Sequence, residues 1–133
     1  MAKFKNTIID EDLEIIYQSY DKRAFFNDST ILITGCAGFL GYYFLKFFIK
    51  YAENLKIKKI IALDNFLMGK PKWIDQIVST GKSKIKIYKF DVINDDLNTI
   101  NEADKANIIL HMASIASPTY YRKYPIQTLD ANI

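Results

Sequence analysis

Thr34-Gly35-Cys36-Ala37-Gly38-Phe39-Leu40-Gly41 is the stretch that decides the fold. Before it stands Ile31-Leu32-Ile33, a short run rich in β-branched residues that stops at the first glycine. After it, Phe39 to Tyr51 is strongly apolar and of helical length. Gly35 permits a tight turn off the strand. Gly38 leaves room for a pyrophosphate to approach bare backbone at the helix N-terminus, and Gly41 lets that helix pack close to the sheet. Three glycines so spaced, between a strand and a helix, point to a dinucleotide.

The pattern repeats outward. Lys59 to Leu63 reads as a second strand ending at Asp64, 23 positions after Gly41. A carboxylate there can accept hydrogen bonds from both hydroxyls of an adenosine ribose. It would also repel a 2′-phosphate: two unit charges about 4 Å apart at an effective dielectric near 20 interact by about 4 kcal/mol, roughly a thousandfold in affinity. NAD is therefore expected over NADP. Lys72 to Ser79 suggests a short helix after Pro71, Ile85 to Phe90 a third strand followed by Asp91, and Asn94 to Ala103 a further helix. Asn107 to His111 reads as a fourth strand, and a last helix begins at Pro118 and runs to the end. Strands alternating with helices imply a parallel sheet.

Ile31, Ile60 and Ile108 lie in strands that read apolar throughout, as strands buried on both faces do. The third strand differs: Lys82, Lys84 and Lys86 alternate with Ser83, Ile85 and Ile87, the mark of a solvated sheet edge. A strand order of 3-2-1-4 follows, an α/β partial Rossmann fold of about four parallel strands with flanking helices. Ahead of it, Ile9, Leu13, Ile16, Tyr17 and Tyr20 recur at helical spacing, with Thr7 as N-cap. Residues 1–28 are thus expected to be an amphipathic helical extension covering this chain or a partner. Residues 29–133 are expected to form the dinucleotide-binding domain.

Composition narrows the class. With 50% apolar and 14% aromatic residues in 133, disorder is excluded as the main state. The 18 basic residues include only Arg23 and Arg122 as arginine, so the +3 charge reads as solvation and not as nucleic-acid binding. The longest apolar run, Gly38 to Ile49, is broken by Gly41 and Lys46 and is too short for a bilayer. The N-terminus, Met1-Ala2-Lys3-Phe4-Lys5, shows no export signal. Cys36 has no second cysteine to pair with. A cytoplasmic protein is expected.

Four motifs in order, TGCAGFLG, LDNF with Gly69-Lys70, Asp91-Val92, and His111-Met112-Ala113-Ser114, resemble the extended short-chain dehydrogenase/reductases. Those are the NAD-dependent epimerases and dehydratases of nucleotide sugars. The segment HMASIASPTYYRKYPIQTLDAN is most similar to the UDP-glucuronate decarboxylase branch and its dTDP-glucose 4,6-dehydratase relatives. The resemblance implies that Gly35, Gly38, Phe39, Leu40 and Gly41 hold the pyrophosphate. Asp64, Asn65, Phe66, Gly69 and Lys70 would line the adenosine ribose, Asp91 and Val92 would meet the adenine, and Met112, Ala113 and Ser114 would run past the nicotinamide. Tyr121 matches a tyrosine common in the decarboxylase branch. Asp130 stands where that branch has a substrate-facing lysine, and a carboxylate there argues against an acidic sugar.

The resemblance also implies a Tyr-x-x-x-Lys pair on a later helix, with the tyrosine moving the hydroxyl proton and the ammonium lowering its pKa. Tyr42 and Lys46 have that spacing but lie on the helix after the glycine turn, where Tyr42 is expected to fill packing space. No catalytic residue is assigned. His111 is expected to have a structural role and has no co-ligands for a metal. Cys36 sits near a helix N-terminus, which can lower a thiol pKa, although filling a small site is the expected role. The chain then reads as the NAD-binding first part of a nucleotide-sugar epimerase, dehydratase or decarboxylase, incomplete at its C-terminal end and not catalytic alone. Its partners would be a nucleotide-sugar substrate in the complete protein and further copies of itself in a homo-oligomer. The alternative is a non-catalytic dinucleotide-binding or scaffold module.

Overall fold

The computed structural model describes residues 7–81 and 84–133. Residues 1–6, whose sequence shows no export signal, and Lys82 and Ser83 of the alternating run lie outside the described residues.

Four parallel strands, β1 (Thr30–Thr34), β2 (Lys59–Asp64), β3 (Ile85–Lys89) and β4 (Ile108–His111), form one sheet in the order β3-β2-β1-β4. This is the expected 3-2-1-4 order. Register places Ile31 beside both Ile60 and Ile108. All five β1 residues are buried, because helices or turns cover both faces and strands flank both sides. β3 is the expected edge: Ile85 is buried while Lys86 and Lys89 face water. Lys84 turns inward, donating to the Ile57 carbonyl at 2.9 Å and pairing with Glu53 at 3.1 Å.

β4 corrects the reading of it as buried throughout. It is the opposite edge, its residues alternate between half-buried and exposed, and Ile109 is 62% exposed. An apolar run reports what a strand can bury, not what lies over it.

One face of the sheet, through Ile31, Ile33, Ile60, Ala62 and Ile85, meets three helices. These are α1 (Thr7–Ser19), α2 (Phe39–Tyr51) and α3 (Trp73–Thr80). α2 buries Leu45, Phe48 and Tyr51 there, each contributing about 1.5–3 kcal/mol relative to exposure. α1 lies on α2, with Leu13 buried and Tyr17 stacked on Tyr51 at 4.1 Å between ring centroids. Lys50 Nζ donates to the Asp10 carbonyl at 2.9 Å, and Tyr51 Oη donates to Glu14 Oε2 at 2.5 Å. Hydrogen bonds from Gln18 and Tyr51 hold the Glu14 carboxyl below its usual range. Burial, then the Glu14 partner, pushes the Tyr51 phenol up. Ile16 was expected on the buried stripe but is 52% exposed, so the stripe runs through Ile9, Leu13 and Tyr17. Thr7 is itself helical and so is not the cap.

On the other face, Leu32, Ile61 and Leu63 pack under Phe90, Ile100 and Ala103. The helix expected over Asn94 to Ala103 is replaced by two 3₁₀ turns, Leu97–Thr99 and Ala103–Lys105. Aspartates capture the backbone: Asp91 Oδ1 accepts from Ile93 N–H at 3.0 Å and Asp96 Oδ1 from Asn98 N–H at 2.9 Å. Such side-chain bonds compete with helix, and Glu102 at φ +65° breaks what remains. The last helix is likewise two, α4 (Pro118–Lys123) and α5 (Pro125–Asp130). Tyr124 is driven out of helical geometry by the proline after it, at φ −127°, ψ 60°.

Candidate functional site

All four groups of expected site residues fall at the C-terminal ends of the parallel strands or on the loops that leave them, where open α/β sheets bind ligands. The glycine turn is built from backbone. Gly35 has φ +69°, and a Cβ on it would lie 2.6 Å from the Met112 carbonyl and the Ala113 nitrogen. The turn off β1 therefore grazes the continuation of β4, which only glycine allows. Gly41 is equally confined, but by a different neighbour than expected. Its Cβ would come within 2.2 Å of the Cys36 carbonyl oxygen, so at this position α2 packs against the glycine turn itself.

Gly38 contrasts with both. Its φ of −77° suits any residue, and its Cβ would meet only the Gly35 oxygen at 3.3 Å. It caps α2 without a side-chain hydrogen bond, and the first bond back to it comes from Tyr42 N–H at 3.1 Å. The amides of Phe39, Leu40 and Gly41 thus open the helix without partners in the preceding turn. Gly38, Phe39 and Leu40 are exposed, so this positive helix end meets solvent.

Asp64 at the end of β2 is tied to that turn. Its Oδ2 accepts from Ala37 N–H at 2.9 Å and its Oδ1 from Phe66 N–H at 2.8 Å. Each carboxylate oxygen keeps a lone pair for a hydroxyl. Phe66 is held at φ +55°, a left-handed conformation unusual for a bulky residue. Asn65 Oδ1 accepts from Leu67 N–H at 2.9 Å, and Gly69 has φ +89° with open space around it. Lys70 is paired with Asp75 at 2.7 Å, so of the five residues expected around the ribose only Asp64 and Phe66 are knitted to the turn.

Cys36 takes the expected role of filling a small site, and the nearby helix end does not lower its thiol pKa. It is fully buried, and burial, reinforced by the Asp64 charge, pushes the thiol up to about 12. An inert packing group results.

Asp91 accepts from Ile93 N–H through Oδ1 and from Asn94 Nδ2 through Oδ2 at 3.1 Å. Next to it, Val92 N–H makes no hydrogen bond among the described residues. Phe90 N–H donates to the Asp64 carbonyl at 2.9 Å, which joins this corner to the ribose corner. At the end of β4, Thr34 Oγ1 accepts from Met112 and Ala113 N–H at 3.2 Å each, and Ser114 Oγ accepts from Asn132 Nδ2 at 3.1 Å. Sequence reasoning missed Ala37, Thr34 and Asn132 as partners. Thr34 alone carried a signal, as a hydroxyl at the end of a buried strand.

Tyr121 is 39% exposed on α4, and Asp130 is exposed at the end of α5. Tyr42 packs as expected: its ring lies 4.9 Å from Trp73, with Lys46 Nζ 5.4 Å from its centroid. An apolar groove of about 620 Å³ between α1 and α2 includes none of these residues.

Residues 31–133 match the NAD dependent epimerase/dehydratase family. Over 107 residues the chain is 32% identical to UDP-glucuronic acid decarboxylase 5 of Arabidopsis thaliana, covering 77% of this chain and 27% of that protein. Over 109 residues it is 33% identical to UDP-glucose 4-epimerase of Rickettsia bellii strain OSU 85-389, covering 81% of this chain and 30% of that one. The chain therefore spans less than a third of the length of these relatives.

Proposed function

The chain belongs to the NAD dependent epimerase/dehydratase family, and from that premise we propose that it is the NAD-binding part of an enzyme acting on a nucleotide sugar. The observation that carries this reading is the contrast among its glycines. Gly35 and Gly41 are demanded by the fold, whereas Gly38 has an ordinary φ, would crowd only the Gly35 oxygen, and stands exposed at a helix end that no side chain caps. A dianionic pyrophosphate fits that place: the amides of Phe39 and Leu40 would donate to it, and the helix dipole would favour its charge.

The other groups fit the rest of the dinucleotide. Asp64 would accept from the ribose hydroxyls while its bonds to Ala37 and Phe66 hold it still, and its charge disfavours a 2′-phosphate. Asn65, Phe66, Gly69 and Lys70 would surround that ribose on the exposed loop. Asp91 and the unengaged Val92 N–H would meet the adenine edge. Met112, Ala113 and Ser114 would wall the nicotinamide side. When bound, NAD supplies a reversible hydride acceptor; these residues bind and orient it and exclude water from one face.

The 133 residues are proposed not to turn over sugar, because among the described residues no tyrosine–lysine pair stands at this site: Tyr42 packs on Trp73, and Lys46 lies over the Tyr42 ring. Similar identity to a decarboxylase and to an epimerase supports the class nucleotide sugar without selecting a branch. The reading places the protein in the cytoplasm as a homo-oligomer, without nucleic-acid or membrane partners. Among the described residues no helix is long and apolar enough to cross a membrane.

Calorimetric titration tests the assignment. NAD should bind and NADP should bind more weakly by at least tenfold, the sign set by Asp64. Tighter NADP binding, or conversion of a UDP-sugar by these residues alone, would overturn it.

A further inference from the structure

His111 is the one histidine of the chain, and both of its ring nitrogens are engaged. Nδ1 lies 2.7 Å from Thr34 Oγ1, and Nε2 lies 2.8 Å from the Ala131 carbonyl oxygen. A carbonyl oxygen can only accept, so Nε2 carries a proton. Thr34 Oγ1 accepts from Ala113 N–H at 3.2 Å and shares the Met112 N–H with the Thr34 carbonyl, which takes the shorter bond at 3.0 Å, so both of its lone pairs face amides. What it has left is one proton to give, and a bare Nδ1 is the acceptor beside it. A proton on Nδ1 would aim a third donor at Thr34 Oγ1 and leave the hydroxyl proton with no acceptor.

These bonds join three separate elements. Thr34 ends β1, His111 ends β4, and Ala131 follows α5 directly. Between them runs the backbone of Met112 and Ala113, the same segment that Gly35 grazes. One residue on, Asn132 Nδ2 donates to Ser114 Oγ, so residues 112–114 are held at one end by Thr34 and at the other by the turn after α5.

We infer that His111 is a positioning residue of the cofactor site, fixed as its Nε2–H tautomer, and that it couples the seating of α5 to the wall formed by Met112, Ala113 and Ser114. Occupation of the site and order in α5 rise together, because coupling between two sites is reciprocal. The inference rests on the NAD-binding reading above.

The lone histidine makes the test direct. In the 15N-labelled full chain, a long-range 1H–15N spectrum contains one imidazole and needs no assignment. A protonated Nε2 and an unprotonated Nδ1 are expected. A proton on Nδ1, or an even mixture of tautomers, would overturn the relay whether or not NAD binds.

Amide exchange over residues 126–132 reads the coupling. Saturating NAD should slow it about fivefold, the worth of one net hydrogen bond, and His111→Phe should abolish that slowing while leaving exchange in β2 unchanged. His111→Asn keeps an acceptor near Thr34 and His111→Gln keeps a donor toward Ala131; neither alone should restore it. Equal slowing in His111→Phe would sink the coupling. If wild-type chain with the expected tautomer fails to bind NAD, the cofactor reading falls and the coupling with it, with the hydrogen-bond assignment intact.

Discussion

β1 and β4 lie side by side with nearly the same sequence, Ile31-Leu32-Ile33 against Ile108-Ile109-Leu110, in register residue for residue. Their surroundings are opposite. Ile31, Leu32 and Ile33 are at most 3% exposed, while Ile109, the direct partner of Leu32, is 62% exposed. The face they share is covered by Phe90, Ile100 and Ala103, which sit over Leu32, Ile61 and Leu63 and leave Ile109 bare. Cover is a property of what crosses a strand, and composition does not record it. The contrast continues past both strand ends, where Cys36 is buried and Ser114 is exposed.

The largest expected effect breaks the buried side of this pair. Ile33→Ala should destabilise the chain by about 4 kcal/mol, the transfer term plus a cavity that a close-packed strand cannot fill. Urea unfolding checks it. A loss below about 1 kcal/mol would mean that β1 is not enclosed on both faces.

Gly35→Ala probes the point where β1 and β4 converge. The added methyl meets Met112 and Ala113 backbone at 2.6 Å, and φ is +69°, so neither a rotamer change nor a small shift relieves it. A loss of about 3 kcal/mol is expected.

Cys36 gives the pH dependence. Its folded pKa of about 12 stands above the ordinary 9.0, so between those values the unfolded chain releases a proton that the folded chain keeps. Stability from this group is complete below pH 9.0 and falls as pH rises. About 2 kcal/mol should be lost between pH 9.0 and roughly 10.5. Comparison with Cys36→Ala isolates the effect from tyrosines and lysines: the mutant should show the shallower slope, and parallel slopes would refute the assignment.

How much of this was legible beforehand depends on sequence distance. The glycine turn, Asp64 at a strand end and the lysine-bearing edge strand are local patterns, and the structure places the strands as they imply. The partners that hold the site together are remote: Ala37 to Asp64 spans 27 positions, His111 to Ala131 spans 20, and Ser114 to Asn132 spans 18. Two of those partners act through backbone atoms, which every residue has, so no residue type marks them. The 3₁₀ turns at Leu97 and Ala103 were hidden for the converse reason. Local side-chain bonds from Asp91 and Asp96 outcompeted a helical pattern that the spacing of apolar residues suggested.

Gly38→Ala separates fold from binding at the turn between the two strands. With φ −77° and a single tight approach, 3.3 Å to the Gly35 oxygen, the substitution should change stability by no more than about 1 kcal/mol. NAD affinity should nevertheless fall at least tenfold, about 1.4 kcal/mol, because the methyl occupies the approach to the Phe39 and Leu40 amides. Unchanged affinity would move the pyrophosphate elsewhere.

The smallest effect belongs to the exposed member of the pair. Ile109→Thr keeps a β-branched side chain, so strand preference is retained and only apolar area is removed. In Leu32 that area is enclosed; in Ile109 it already faces water. Unfolding free energy should move by no more than about 0.5 kcal/mol, against about 4 kcal/mol at Ile33, one residue along the neighbouring strand and on its other face. The measurement has to be made at several protein concentrations. If the penalty stays small when the chain is dilute and grows with concentration, Ile109 is buried between copies of the chain, and the asymmetry between β1 and β4 belongs to the isolated chain alone. If it is small throughout, the open edge is open in solution as well.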